Sequence, residues 1–84
     1  MLITSNNIET INGYTYKTFT AIYNNKEVSV MKVTGNRNFV NIMYKNAMSK
    51  AYRGMGKEFD TIEQALENYK DVSIKAIISA SNEY

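Results

Sequence analysis

Short runs in which apolar and polar residues alternate fill the first two thirds of the chain, and turn residues separate them; this is the pattern of half-buried strands. Ile8 to Ile11 reads as a short strand. Asn12-Gly13 follows, the dipeptide that best tolerates the positive φ angles of a type I′ hairpin turn. Tyr14 to Tyr23 is a long strand with Tyr14, Tyr16, Thr18, Thr20 and Ile22 on one face and Lys17, Phe19, Ala21 and Tyr23 on the other. Asn24-Asn25 is the next turn. With two turn residues, Phe19 falls opposite Val30 and Ala21 opposite Val28, while Tyr16 meets Val33 and Thr18 meets Met31. The Phe19 face is the expected core side. Gly35-Asn36-Arg37-Asn38 is a further turn, Phe39 to Tyr44 a strand, and Lys45-Asn46-Ala47 a connection. Ser49 to Arg53 is the expected last strand, interrupted by a bulge or loop tip at Gly54-Met55-Gly56.

At Phe59-Asp60-Thr61-Ile62-Glu63-Gln64 the period changes from two to about 3.6. Asp60 with Glu63, or Thr61 with Gln64, supplies a capping-box spacing. Ile62, Ala65, Leu66 and Tyr69 then form one apolar stripe. Leu66 and Phe59 are the expected core anchors. Ile74 and Ile78 point away from that stripe on a continuous helix, which leaves two readings. Either a bend at Asp71 starts a second helix, or the alternation of Val72, Ile74, Ala76, Ile78 and Ala80 continues as a strand; helix is favoured. The expected fold is α+β, an antiparallel meander of four or five strands packed against one or two C-terminal helices, with residues 1–84 forming a single domain.

Composition narrows the chemistry. The 84 residues include no Cys and no His, which excludes thiol nucleophiles, disulfides, Cys/His zinc sites and histidine general bases. Glu63, Glu67 and Asp71 share a helical spacing of four, but a solvated face explains them better than a catalytic cleft. No phosphate-cradling glycine motif or calcium loop occurs. Neither catalytic residues nor a cofactor is expected. Ten Lys+Arg against eight Asp+Glu give a net charge of +2, a thin cationic footprint for a nucleic-acid binder. No apolar run approaches the roughly 20 residues that cross a bilayer, and the N-terminus lacks a basic region followed by an apolar stretch, so a cytoplasmic location without a membrane partner is expected. Eleven Asn with abundant Ile, Lys and Tyr suit an AT-rich coding sequence, as in a low-GC bacterium or its phage.

Binding is where the surplus residues point. A sheet covered on one face by helix leaves the other open, and Tyr16, Met31, Val33, Ile42 and Tyr44 are the candidates for it. Density of aromatic, Met and aliphatic side chains of this kind marks an interface with a protein or a second copy of the chain. Ile74 and Ile78, as a ridge the sheet cannot cover, predict a homodimer. The expected partner-binding set is therefore Tyr16, Met31, Val33, Tyr44, Tyr52, Arg53, Ile74 and Ile78. A rival reading takes Tyr14, Tyr16, Tyr44 and Tyr52 with Lys17, Lys32, Lys45, Lys50 and Arg53 as a stacking surface for single-stranded nucleic acid. In topology, strands followed by helix, the chain resembles the PC4-like single-stranded-DNA-binding coactivators.

Phe59-Asp60-Thr61-Ile62-Glu63-Gln64-Ala65-Leu66-Glu67-Asn68-Tyr69, preceded by a strand meander in a chain of this size, looks like the small phage-encoded anti-CRISPR proteins built as an antiparallel sheet with a packed helix. The resemblance implies a non-catalytic inhibitor that occupies a functional surface of a host defence protein or ribonucleoprotein complex in the host cytoplasm. Members of that group share no sequence signature, so no site residue is carried over. Many of them are acidic mimics of nucleic acid, a pattern from which a net charge of +2 departs.

Overall fold

A computed structural model describes residues 1–52 and 56–84. Five antiparallel strands lie in the order of the chain: β1 Leu2–Ile11, β2 Tyr14–Tyr23, β3 Lys26–Thr34, β4 Phe39–Asn46 and β5 Lys57–Phe59. Two helices follow, α1 Ile62–Asn68 and α2 Val72–Ala80, and a 3₁₀ turn spans Ser81–Glu83. The meander and its helices are the α+β arrangement expected from the change of period.

The asparagines of the turns explain the pairing. Asn12 and Gly13 hold φ of 51° and 80°, and Asn24 and Asn25 hold 49° and 65°, so both hairpins close through two residues with left-handed backbone. A two-residue loop leaves the register no freedom. Phe19 pairs with Val30, Ala21 with Val28, Tyr16 with Val33 and Thr18 with Met31, as expected. β1 begins earlier than its apolar pattern indicates: pairing with β2 extends to Leu2 opposite Ile22, across an irregularity between Ile3 and Ser5.

Phe19, Ala21, Val28, Val30, Val40 and Ile42 form the sheet's half of the core, and Ile62, Ala65, Ile74, Ile77 and Ile78 supply the helical half. Thr61 caps α1, its hydroxyl accepting from the Gln64 amide at 3.1 Å, while the Gln64 side chain accepts from the Asp60 amide at 3.0 Å. The chain leaves the helix at Tyr69, and Asp71 starts α2 by accepting from the amides of Ser73 at 2.8 Å and Ile74 at 3.2 Å. That break re-phases the apolar pattern. Ile74, Ile77 and Ile78 now stand at i, i+3 and i+4 of a new helix, all facing the sheet. Helix, not strand, is the outcome over Val72–Ala80.

Four expectations change. Ile74 and Ile78 are 3% and 0% exposed, so they are core and form no dimer ridge. Ile42 is core as well, because the register Val30 to Ile42 places it on the helix side. The last strand is Lys57–Phe59, not Ser49 to Arg53; Phe59 pairs with Val40 and so reaches the helix side, whereas Tyr52 is engaged by Glu27 on the opposite face. Leu66 and Phe59 pack against the core only partly buried, and Ile62 and Ala65 take the anchoring places. Arg53, Gly54 and Met55 lie outside the described residues.

Candidate protein-docking face

The helices cover one face of the sheet. On the other, the register aligns Tyr16 with Val33 and Phe39, Thr18 with Met31, Asn41 and Glu58, and Thr20 with Ser29 and Met43. Tyr14 and Tyr16 project from the same side of β2 with ring centroids 6.5 Å apart. Val33 is only 1% exposed, since it sits in the middle strand between Tyr16 and Phe39 and forms the floor of this end of the face. Within the patch, Tyr14, Tyr16, Met31, Phe39, Asn41 and Met43 are half-buried around it. A side chain at Gly35 would press on it, because a methyl group there would lie 2.5 Å from the Tyr14 ring. Arg37 stacks over Phe39 at 4.8 Å and forms an ion pair with Glu58 at the rim.

The opposite end of the same face is polar and tied down. Glu27 and Lys45 are cross-strand partners with Nζ and Oε2 3.7 Å apart, and the Tyr52 hydroxyl donates to Glu27 at 2.6 Å. Burial, followed by the hydrogen bond to the Glu27 carboxylate, pushes the Tyr52 phenol well above the ordinary tyrosine range. Lys45 also lies 5.7 Å from the centre of the Tyr52 ring. This cluster pins the segment after β4 across one end of the face. Gly56 also rests on this face, so close to Asn41 and Met43 that no Cβ would fit.

Of the expected partner-binding residues, Tyr16, Met31 and Val33 come together here, and Tyr52 lies at the far end of the same face. Tyr44 does not belong. It faces the helices and meets Tyr69 edge-on at 5.8 Å, because it pairs with Val28. Arg53 falls outside the described residues. Phe39 and Met43 join the face unforeseen; the spacing of two on either side of Asn41 in β4, set by the Val33 to Phe39 pair, is the signal that finds them.

Two of the strand lysines are kept off this surface. Lys17 and Lys32 oppose each other on the helix side, next to Ile8 and Val40. Lys32 reaches the end of α2, donating to the Ser81 carbonyl at 3.2 Å and the Asn82 side chain at 3.1 Å, where the helix dipole favours a positive charge. Partial burial, and then the facing Lys17, lower its pKa. A shallow depression of about 220 Å³ beside Lys26, Tyr44, Lys45 and Asn46 opens at the end of the sheet, with the Lys26 ammonium already donating to Asn46 at 2.8 Å.

Chemically, the face offers phenol, thioether, aliphatic and amide groups around a buried valine, with its charges paired at the rim. Such a surface can exclude water against another protein. Asp71 is committed to capping α2 and does not continue a carboxylate row with Glu63 and Glu67. Among the described residues no group of three or more acidic side chains is placed to hold a metal ion, and no helix is long and apolar enough to cross a membrane. No protein-family model, curated protein or solved structure matches the chain.

Proposed function

We propose that this protein is a non-catalytic binding module that covers a functional surface of another protein with the open face of its sheet. One observation carries the reading: Tyr14, Tyr16, Met31 and Phe39 gather around Val33 on the face opposite the helices, while Lys17 and Lys32 project from the other side. Depletion of charge with enrichment of Tyr, Phe and Met is the composition of a protein interface core. A single-stranded nucleic-acid platform needs stacking rings and phosphate-neutralising cations on one surface. Tyr16 and Tyr44 lie on opposite faces instead, and Lys45 is already engaged by Glu27.

The particular form of this function is inhibition of a host defence complex in the manner of the phage-encoded anti-CRISPR proteins, with a host protein or ribonucleoprotein as the target. Phage plating on a CRISPR-immune bacterial host that expresses the protein tests it. Plating should rise with the wild-type chain, fall back to the immune level with Met31→Asp, and stay high with Lys75→Glu on the exposed side of α2. Plating that remains at the immune level with the wild type refutes the inhibitor. Titration of labelled oligonucleotides at low salt should be flat, and salt-sensitive binding lost in Tyr16→Ala would restore the nucleic-acid reading.

A further inference from the structure

The two edges of the sheet are unlike. β5 is three residues long and carries Lys57 and Glu58, which is how an edge is kept from pairing. β1 is ten residues long, hydrogen-bonds β2 alone in the sheet, and contains neither Pro nor Lys. Its side chains are almost uncovered, with Leu2 62% and Ile8 71% exposed. Main-chain groups of a strand edge accept only another extended strand, so the occupant is defined in class before any side chain is considered.

The hairpin turn fixes which groups are free. In a two-residue hairpin the residues flanking the turn exchange both main-chain hydrogen bonds, and alternate residues behind them point away. Ile11 pairs with Tyr14, Glu9 with Tyr16, Asn7 with Thr18 and Ser5 with Thr20, so Asn6, Ile8 and Thr10 direct their N–H and C=O groups outward. From these observations we infer that two copies of the chain pair through β1, antiparallel, about a two-fold axis at Ile8, to make one continuous sheet.

The self-complementarity of the strand selects this register. Centred on Ile8, it sets Ile8 against Ile8, Asn6 against Thr10 and Thr10 against Asn6, and every outward residue enters a hydrogen-bonded pair. On the other face Glu9 meets Asn7 twice over, an amide donor for each carboxylate. Shifting the axis to Glu9 opposes two carboxylates. Shifting it to Asn7 sets Ile8 against Asn6 and brings Thr10 to the irregularity between Ile3 and Ser5, which ends the ladder. The Ile8 register alone satisfies all three outward positions, avoids like charges and covers the most exposed aliphatic residue of the strand. Pairing through the ridge of Ile74 and Ile78 is closed, since both are core.

Sedimentation of the full chain from 5 to about 500 μM tests the pairing, together with amide exchange in the same range. Mass should climb from 9.6 kDa toward twice that value, and exchange at Asn6, Ile8 and Thr10 should slow at least tenfold between the dilute and concentrated ends. Ile8→Pro removes one outward N–H and leaves the β1–β2 ladder intact, so it should hold the monomer mass across the range with unchanged circular dichroism. Ile8→Lys, which keeps the N–H, should raise the concentration needed for dimer at least tenfold. Leu2→Lys, outside the register, should leave the wild-type curve. A wild-type monomer at 500 μM overturns the inference, as does a dimer that survives Ile8→Pro or one that Met31→Asp dissolves. An edge that takes only a strand from another protein would appear as the first of these.

Discussion

Replacing Ile78 by Ala separates the two roles that residue could have, and the structure sets the cost. Its side chain is 0% exposed and faces the sheet beside Ile74 and Ile77. The change removes three carbons, about 2.4 kcal/mol at ~0.8 kcal/mol for each buried carbon group. Collapse around the gap is limited, because the rigid sheet lies on one side and α1 supports α2 on another. A cavity contribution therefore adds to the transfer term, for a total of about 3–4 kcal/mol within the range seen for Ile→Ala in cores. For a domain of this size that lowers Tm by roughly 12–30 °C. Urea unfolding followed by circular dichroism measures it, with Val72→Ala as the control. Val72 is on the same helix but 76% exposed, and its truncation should stay within about 0.5 kcal/mol. A cost below about 1 kcal/mol for Ile78→Ala, accompanied by loss of a dimer, would refute the packing of α2 described above and return Ile78 to the surface.

Asp71→Ala should cost about 1 kcal/mol in the same assay, because the amides of Ser73 and Ile74 lose their acceptor. Tyr52→Phe should cost about 1 kcal/mol near neutral pH by removing the bond to Glu27. The Tyr52 pKa is raised, so the fold favours the neutral phenol: its stabilisation is complete below the unfolded tyrosine value of about 10 and drains away as pH rises past it. The wild-type stability curve should accordingly fall more steeply above pH 10 than that of Tyr52→Phe. Lys17→Gln removes a like charge facing Lys32 and should stabilise the protein by about 0.5 kcal/mol at low salt, with the gain vanishing at 1 M salt.

What could be read from residue order was whatever two-residue turns dictate. Asn12-Gly13 and Asn24-Asn25 fix the pairing of β1, β2 and β3, and with it the side on which Phe19 and Val30 lie. The longer connections carry no such rule. Phe39 to Tyr44 is legible as a strand, but a loop of four residues does not set its register, and so the expectation of Ile42 and Tyr44 on the open face fails. Between Asn46 and Lys57 the alternation fades, and the short β5 is defined by the reach of Phe59 to the helices rather than by propensity. The Ile74 and Ile78 pair illustrates a different ambiguity: Asp71 is a visible cap, yet whether the chain bends there decides between core and ridge, and only tertiary packing makes that choice. Tyr16, Met31 and Val33 could be grouped correctly because all three lie within the part governed by tight turns.

Open face and free edge belong to the same sheet, and its twist determines how they combine. Neighbouring strands rotate by roughly 20–25°. From β3 of one copy to β3 of its partner, through both β1 strands, there are five steps, so the two docking faces turn by about 100–125° relative to each other. They cannot form one flat surface. On the proposed pairing, each copy's Tyr14, Tyr16, Met31 and Phe39 patch would therefore address its own partner, so that the assembly takes two partner molecules in different directions rather than one large one. The β1 edge also lies two strands from Val33, the floor of the patch, so pairing leaves that patch uncovered. Dimer formation and docking are in this geometry independent, and a substitution at Ile8 tests the first without touching a residue of the second.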